Sequence, residues 1–222
     1  LIDRYDWAGG TEAMLRFGPA THPVVVAVLP PFEEANRTRT LLVTVLRRLA
    51  EQGIAGALPA LPGQGESLLP TEDATLADWR AAFAAAVTAL PQPCFSLSVR
   101  AGALIDAEAP VTARWSLSPQ SGAELRRELQ RVRRAAGGPD PAAGEVTEVA
   151  GNRISAALWE ELAHAETGTI DRIVRLEGDA RPADARLPQP PPWRRSEPNC
   201  DPALVEALVA DITRWVRAWR GA

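Results

Sequence analysis

The chain contains no lysine: all 24 basic side chains among its 222 residues are arginine. A Ser-Lys dyad is therefore excluded. Histidine is nearly absent too, with only His22 and His164 available as an imidazole base. The two cysteines, Cys94 and Cys200, cannot build a disulfide framework and lack metal-ligand spacing; a reducing cytoplasm is expected, with no metal or other cofactor. Long apolar runs are missing, since stretches such as Val24 to Leu29 fall far short of a membrane span. No signal-peptide pattern opens the chain, which starts at Leu1 rather than Met, so a short leader can precede it. The net charge is -4 and the arginines are scattered, which gives no electrostatic reason to expect nucleic acid. An all-arginine basic set fits a GC-rich genome better than a role specific to arginine.

What is present is ordinary for a folded protein: 46% hydrophobic and 23% charged residues, in a length that suits one large domain over 1–222. Arg4 to Trp7 and Ala13 to Phe17 read as strands of a hairpin joined at Gly9 and Gly10. Val24 to Leu29 has no polar alternation, as expected of a parallel strand covered on both faces. Leu41, Leu42, Val45, Leu46 and Leu49 recur at helical spacing before Gly53, a helix-ending glycine. Further strands are expected at Ile54 to Leu58, Cys94 to Val99, Val111 to Leu117 and Arg172 to Leu176. Between and after them lie helices. One is opened by Thr75 with Asp78 as a capping box, burying Leu76, Trp79, Phe83 and Val87. Another starts directly at Arg100. An arginine-rich one turns Leu125, Leu129 and Val132 inward, and one spans Ile154 to Ala165 with Leu158 and Leu162 inward. The last, opened by Asp201-Pro202, buries Leu204, Leu208, Ile212, Trp215 and Trp219. Gly137 to Gly144 reads as a loop. This alternation predicts an α/β fold with a mostly parallel central sheet and helices on both faces.

In such a sheet, ligands bind at the carboxyl ends of the strands, which singles out the loops Pro30 to Arg39, Ser98 to Gly102 and Glu177 to Asp184. Ser98-Val99-Arg100-Ala101-Gly102 stands where a G-x-S-x-G nucleophile elbow belongs, with small residues at the flanks and a guanidinium in the middle. Arginine stays protonated and cannot attack an acyl carbon. Reading Ser98 as the nucleophile in a shifted frame puts bulky Arg100 at a crossing that needs a small residue. His164 precedes the acidic candidates Asp179 and Asp184 and lies in an amphipathic helix, which is the wrong order for a triad and suits a structural role; His22 suits an ordinary loop role. Cys200 falls in the loop that carries a triad histidine in this architecture, yet a lone thiol without a nearby base is normally inert.

Leu29-Pro30-Pro31-Phe32-Glu33-Glu34-Ala35-Asn36-Arg37-Thr38-Arg39 resembles the signature of the exosortase A system-associated hydrolases, a group within the α/β-hydrolase superfamily. Pro62-Gly63-Gln64-Gly65-Glu66-Ser67 is similar to their next loop. Val99-Arg100-Ala101-Gly102-Ala103-Leu104 resembles the elbow of the hydrolase 2 subgroup, in which arginine occupies the nucleophile position. Ser121-Gly122, Ala150 to Ser155 and Trp193-Arg194-Arg195 extend the likeness along nearly the whole chain. The resemblance implies an α/β-hydrolase-like fold and a bacterial, cytoplasmic accessory protein of the exosortase and PEP-CTERM system. It implies no substrate.

A helix N-terminus disfavours a cation such as Arg100 by about 0.3–1 kcal/mol, so a compensating carboxylate is expected from Glu33 or Glu34. The candidate pocket comprises Phe32, Glu33, Glu34, Asn36, Arg37, Arg39, Arg100 and Asp179. Two readings stay open for it: a cluster that locks the loop to the sheet, or a site for a small anionic or acyl ligand. For the whole chain the alternatives are a non-catalytic ligand- or partner-binding protein, a hydrolase or acyltransferase using Ser98 or Cys200, and an assembly component. In the last case Trp193, or one face of Trp215 and Trp219, would mark a homodimer surface.

Overall fold

The computed structural model describes residues 1–21, 23–139, 144–195 and 200–220; His22 and the middle of the loop 137–144 lie outside the described residues. The first hairpin pairs β1 (Ile2–Trp7) with β2 (Gly10–Phe17). There follow β3 (Val24–Val28), α1 (Glu33–Glu51), β4 (Ala55–Pro59), α2 (Leu76–Thr88), β5 (Cys94–Val99) and β6 (Ala113–Leu117). Next are α3 (Gly122–Ala135), a short hairpin of β7 (Thr147–Val149) and β8 (Asn152–Ile154), and α4 (Ala156–His164). The chain closes with β9 (Arg172–Leu176), β10 (Ala185–Leu187) and α5 (Pro202–Arg220).

Eight strands form one sheet in the order β1-β2-β4-β3-β5-β6-β9-β10. Only the β1 and β2 edge runs antiparallel; from β4 to β10 every pairing is parallel. The sheet is covered on both faces, as the unalternated apolar strands require. Val24, Val26 and Val28 of β3 join a core with α2, α3 and α4, while Val25 and Ala27 join a second core with α1 and α5. The chain leaves β3 toward β4 and leaves β5 toward β6, so the direction of winding reverses between β3 and β5. A crevice opens at that switch point, at the carboxyl ends of the strands.

Five expectations are corrected. The stretch 30–39 is not a loop: α1 begins at Glu33, because Pro30 and Pro31 block helix before it and two acids favour the first turn. After β5 there is only a 3-10 turn over Arg100–Leu104: Asp106 turns back to bond Ser96 of β5, and Pro110 has no N–H with which to continue a helix. The helix-dipole penalty assigned to Arg100 therefore does not apply. Ile154 is a strand residue, because Ala150 (φ 48°) and Gly151 (φ 80°) make a hairpin turn of two left-handed residues. Val132 is 47% exposed, lying beyond the reach of the nine-residue α4 that covers Leu125 and Leu129. Trp219 is 40% exposed, where the last turn of α5 runs clear of the core that holds Val216, and Trp215 is half-buried against Phe95. Among the described residues no helix is long and apolar enough to cross a membrane.

Candidate functional site

Strand β5 ends in a tight turn at residue 100. Residue 100 takes the left-handed conformation (φ 54°), and Gly102 is needed because a Cβ there would stand 2.8 Å from the Val28 carbonyl oxygen. The residue held in this tight turn is Arg100, 6% exposed. Two carboxylates hold it. Glu128 of α3 accepts from Nη2 at 2.8 and 2.9 Å, and Glu34 of α1 receives Nε and Nη2 at 3.4 Å each. Gln120 Nε2 donates to Glu128 at 2.7 Å, and the Trp193 ring stacks 5.0 Å from the guanidinium carbon. Burial pushes the Glu34 carboxyl above its usual range, with Glu128 adding to the rise, against the attraction of Arg100.

Of the predicted partners the structure brings Glu34 to Arg100 but not Glu33. Glu33 faces along its own helix, accepting from Asn36 Nδ2 at 3.2 Å and lying 3.8 Å from Arg37 Nε. Arg37 turns to the Trp193 carbonyl at 3.0 Å. Sequence reasoning missed Glu128 and Trp193. Glu128 had a signal: it lies three residues after Leu125 and beside Leu129, on the inward edge of α3.

An acyl hydrolase of this fold needs three stations and an oxyanion hole. The station after β9 is held by Asp179, whose carboxylate receives Arg181 at 2.8 and 2.9 Å and Arg175 at 2.9 Å. These bonds, Arg181's first, hold it well below the usual carboxylate range. Asp184 is exposed and accepts the Ile173 N–H at 2.7 Å. The station after β10 carries Trp193, 7% exposed and packed on Arg100, so it is not a surface tryptophan. Cys200 does not reach the site; it packs at the start of α5 against the core on the α1 side of the sheet. His164 is exposed at the end of α4, in a surface cleft with Arg80 and Glu108. For the oxyanion hole, the β3–α1 link offers few donors, because Pro30 and Pro31 have no N–H and the Phe32 N–H donates to Gln64 Oε1 at 3.1 Å.

Ser98 is 1% exposed and donates to Ser116 Oγ at 3.0 Å inside the sheet. Beneath it, Asp106 is 1% exposed, accepts from Ser96 Oγ, and is pushed up to about 6 by burial. Burial likewise lifts the Cys94 thiol to about 11, which leaves it protonated and unreactive at neutral pH.

Besides a cavity of about 240 Å³ lined by Arg100, Asp179 and Trp193, two more open at this end of the sheet. A groove of about 550 Å³ runs between the start of α1, α3 and the β7–β8 hairpin. Phe32, Leu125, Leu129, Val149 and Trp193 give it an apolar floor; Arg131 and Arg194 stand at its rim. A smaller cavity of about 180 Å³ lies over the ends of β3 and β4 and takes in Asn36, Arg39 and the loop Gly63 to Glu66. The eight pocket candidates are thus divided: Asn36 and Arg39 line the cavity over β3 and β4, away from Arg100.

No protein-family model and no curated protein matches the chain. Solved structures do. The ferulic-acid complex of Est1E from Butyrivibrio proteoclasticus is 16% identical with a TM-score of 0.63, covering 99% of this chain and 100% of that one. Alpha/beta hydrolase domain-containing protein 10 from mouse is 12% identical with a TM-score of 0.68, each chain covered to 99%. A thermophilic esterase from Thermogutta terrifontis gives 16% and 0.57 over 98% of both chains. At these identities the likeness is one of fold: the chain has the α/β-hydrolase fold.

Proposed function

We propose, with the α/β-hydrolase fold as premise, that this chain is a non-hydrolytic protein that binds a small anionic or acyl ligand, or a protein partner, in the groove above a sealed catalytic station. The observation that carries this reading is Arg100 at the elbow, closed in by Glu34, Glu128 and Trp193. A tetrahedral acyl intermediate needs the volume this plug fills, a base at the β10 station and free amides beside it. The β10 station carries an indole instead. Because Glu34 and Glu128 are both committed to Arg100, the plug favours the locking half of the two readings for Arg100 itself and leaves the groove for the ligand. Ser98 and Cys200, the alternative nucleophiles, have no support: one is bonded inside the sheet and the other packs on the α1 side.

The sequence likeness to exosortase A system-associated hydrolases assigns the partner to that bacterial sorting or exopolysaccharide machinery, in the cytoplasm, with the chain as a single domain. Any homodimer surface would use Trp219 rather than Trp193. Two measurements test the reading. The purified protein is expected to give no turnover of nitrophenyl esters. Calorimetry is expected to detect dodecanoate binding, weakened about tenfold by Leu129→Asp in the groove floor. Saturable ester turnover that survives purification to homogeneity and is lost in Ser98→Ala or Cys200→Ala would overturn it.

A further inference from the structure

The plug leaves unused two sequence motifs that meet elsewhere: the Asn36 to Arg39 turn of α1 and the loop Gly63 to Glu66. They wall the 180 Å³ cavity over the ends of β3 and β4. Arg39 lines it, and among the described residues it has no ion-pair or hydrogen-bond partner. Its guanidinium lies against the loop, since a Cβ built on Gly65 would come within 3.8 Å of Nη1. Gln64 lines the same cavity. Its amide orientation is settled by the Phe32 N–H, which needs an acceptor and takes Oε1 at 3.1 Å, so Nε2 must be the other arm. That Nε2 is buried and has no acceptor among the described residues.

The walls are fixed without these donors. Trp79 Nε1 holds the Pro62 carbonyl at 2.8 Å, Thr71 Oγ1 holds the Gly63 carbonyl at 2.7 Å, and Ser67 Oγ accepts the Gly63 N–H at 3.0 Å while donating to Glu12 at 2.7 Å. Gly63 (φ 69°) and Gly65 (φ 58°) set the turn. The result is a walled space lined by Arg39 and Gln64, in which neither the guanidinium nor the buried Nε2 has a partner among the described residues. The remaining polar side chains on the wall are Asn36, committed to Glu33 at 3.2 Å, Thr71, Asn152 and the exposed Glu66.

We propose that this cavity is an oxyanion site, in which Arg39 and Gln64 Nε2 bind the phosphate or carboxylate group of a small ligand. An arginine fork suits either group, and an acceptor there removes the open donor at Gln64. The site is separate from the Arg100 plug and stands or falls independently of whether the chain hydrolyses esters. Glu66 opposes it by charge.

Titration calorimetry of the whole chain with inorganic phosphate, phenyl phosphate and acetate, at low ionic strength and pH 7, tests it. Binding of one or more is expected, weakened about tenfold in Arg39→Ala and in Gln64→Glu, which keeps the acceptor for the Phe32 N–H and replaces the donor with an oxygen. Glu66→Gln is expected to tighten it. Phosphate alone would mark a free-ion site, and phenyl phosphate binding better would mark a ligand that extends beyond the anion. Thermal melts of each variant report folding, and Gln64→Glu with an unchanged melt is the deciding variant. No binding by any of the three anions, or binding that Arg39→Ala and Gln64→Glu leave intact, overturns the proposal. Neither result bears on the ester assay above.

Discussion

At the scale of single residues the molecule turns on where charge is buried. Arg100→Met removes the partner of two carboxylates and is expected to cost about 2–4 kcal/mol in urea denaturation at pH 8, toward the lower end because Glu128 keeps contact with solvent. The loss should shrink at pH 5, where Glu34, already raised by burial, takes up a proton more readily once the cation is gone. Burial raises Asp106 as well. Its folded-state value of about 6 exceeds that of an unfolded aspartate, so the native state holds the proton more tightly and loses stability as pH rises through 6. Asp106→Asn, which keeps an acceptor for Ser96, should therefore raise the unfolding free energy at pH 8, by up to about 2 kcal/mol in urea denaturation, and bring no gain near pH 4. The sequence displayed the guanidinium at the elbow and one of its acids, because both belong to contiguous motifs. Glu128 and Trp193 come from distant segments and were legible only as a helix position and a loop aromatic.

At the scale of elements, strands and caps were legible where local chemistry decides them. The Thr75–Asp78 capping box is present, with Thr75 Oγ1 accepting the Asp78 N–H at 3.1 Å and Asp78 accepting the Thr75 N–H at 2.9 Å. The limits of β5 and β9 also follow the apolar runs. The short β10 and the β7–β8 hairpin escaped because strands of three residues carry too little alternation to register. The turn after β9 is tied to α3 through Asp179, Arg181 and Glu124, the last at 2.8 Å. Since Asp179 titrates far below an unfolded aspartate, the stability it adds is present above about pH 4 and lost as pH falls below it. Asp179→Ala should cost about 1–2 kcal/mol at pH 7, and the gap between variant and parent should narrow steadily in denaturation curves taken toward pH 2.

At the scale of the whole molecule, a doubly covered, mostly parallel sheet with its working loops at the carboxyl ends of the strands was readable from apolar runs alternating with helices, whereas the strand order that opens the crevice between β3 and β5 appears only in the folded sheet. What that crevice holds could not be read from spacing, because the three stations after β5, β9 and β10 converge only in space: an arginine, an arginine-bound aspartate and a tryptophan. The fold is that of esterases, but the side chains at its working end neutralise one another. The most direct measurement is the intact mass of the protein after incubation with a fluorophosphonate, which esterifies an activated serine hydroxyl. The account predicts an unchanged mass after prolonged exposure; a single stoichiometric adduct on a serine, absent from the heat-denatured protein, would contradict it.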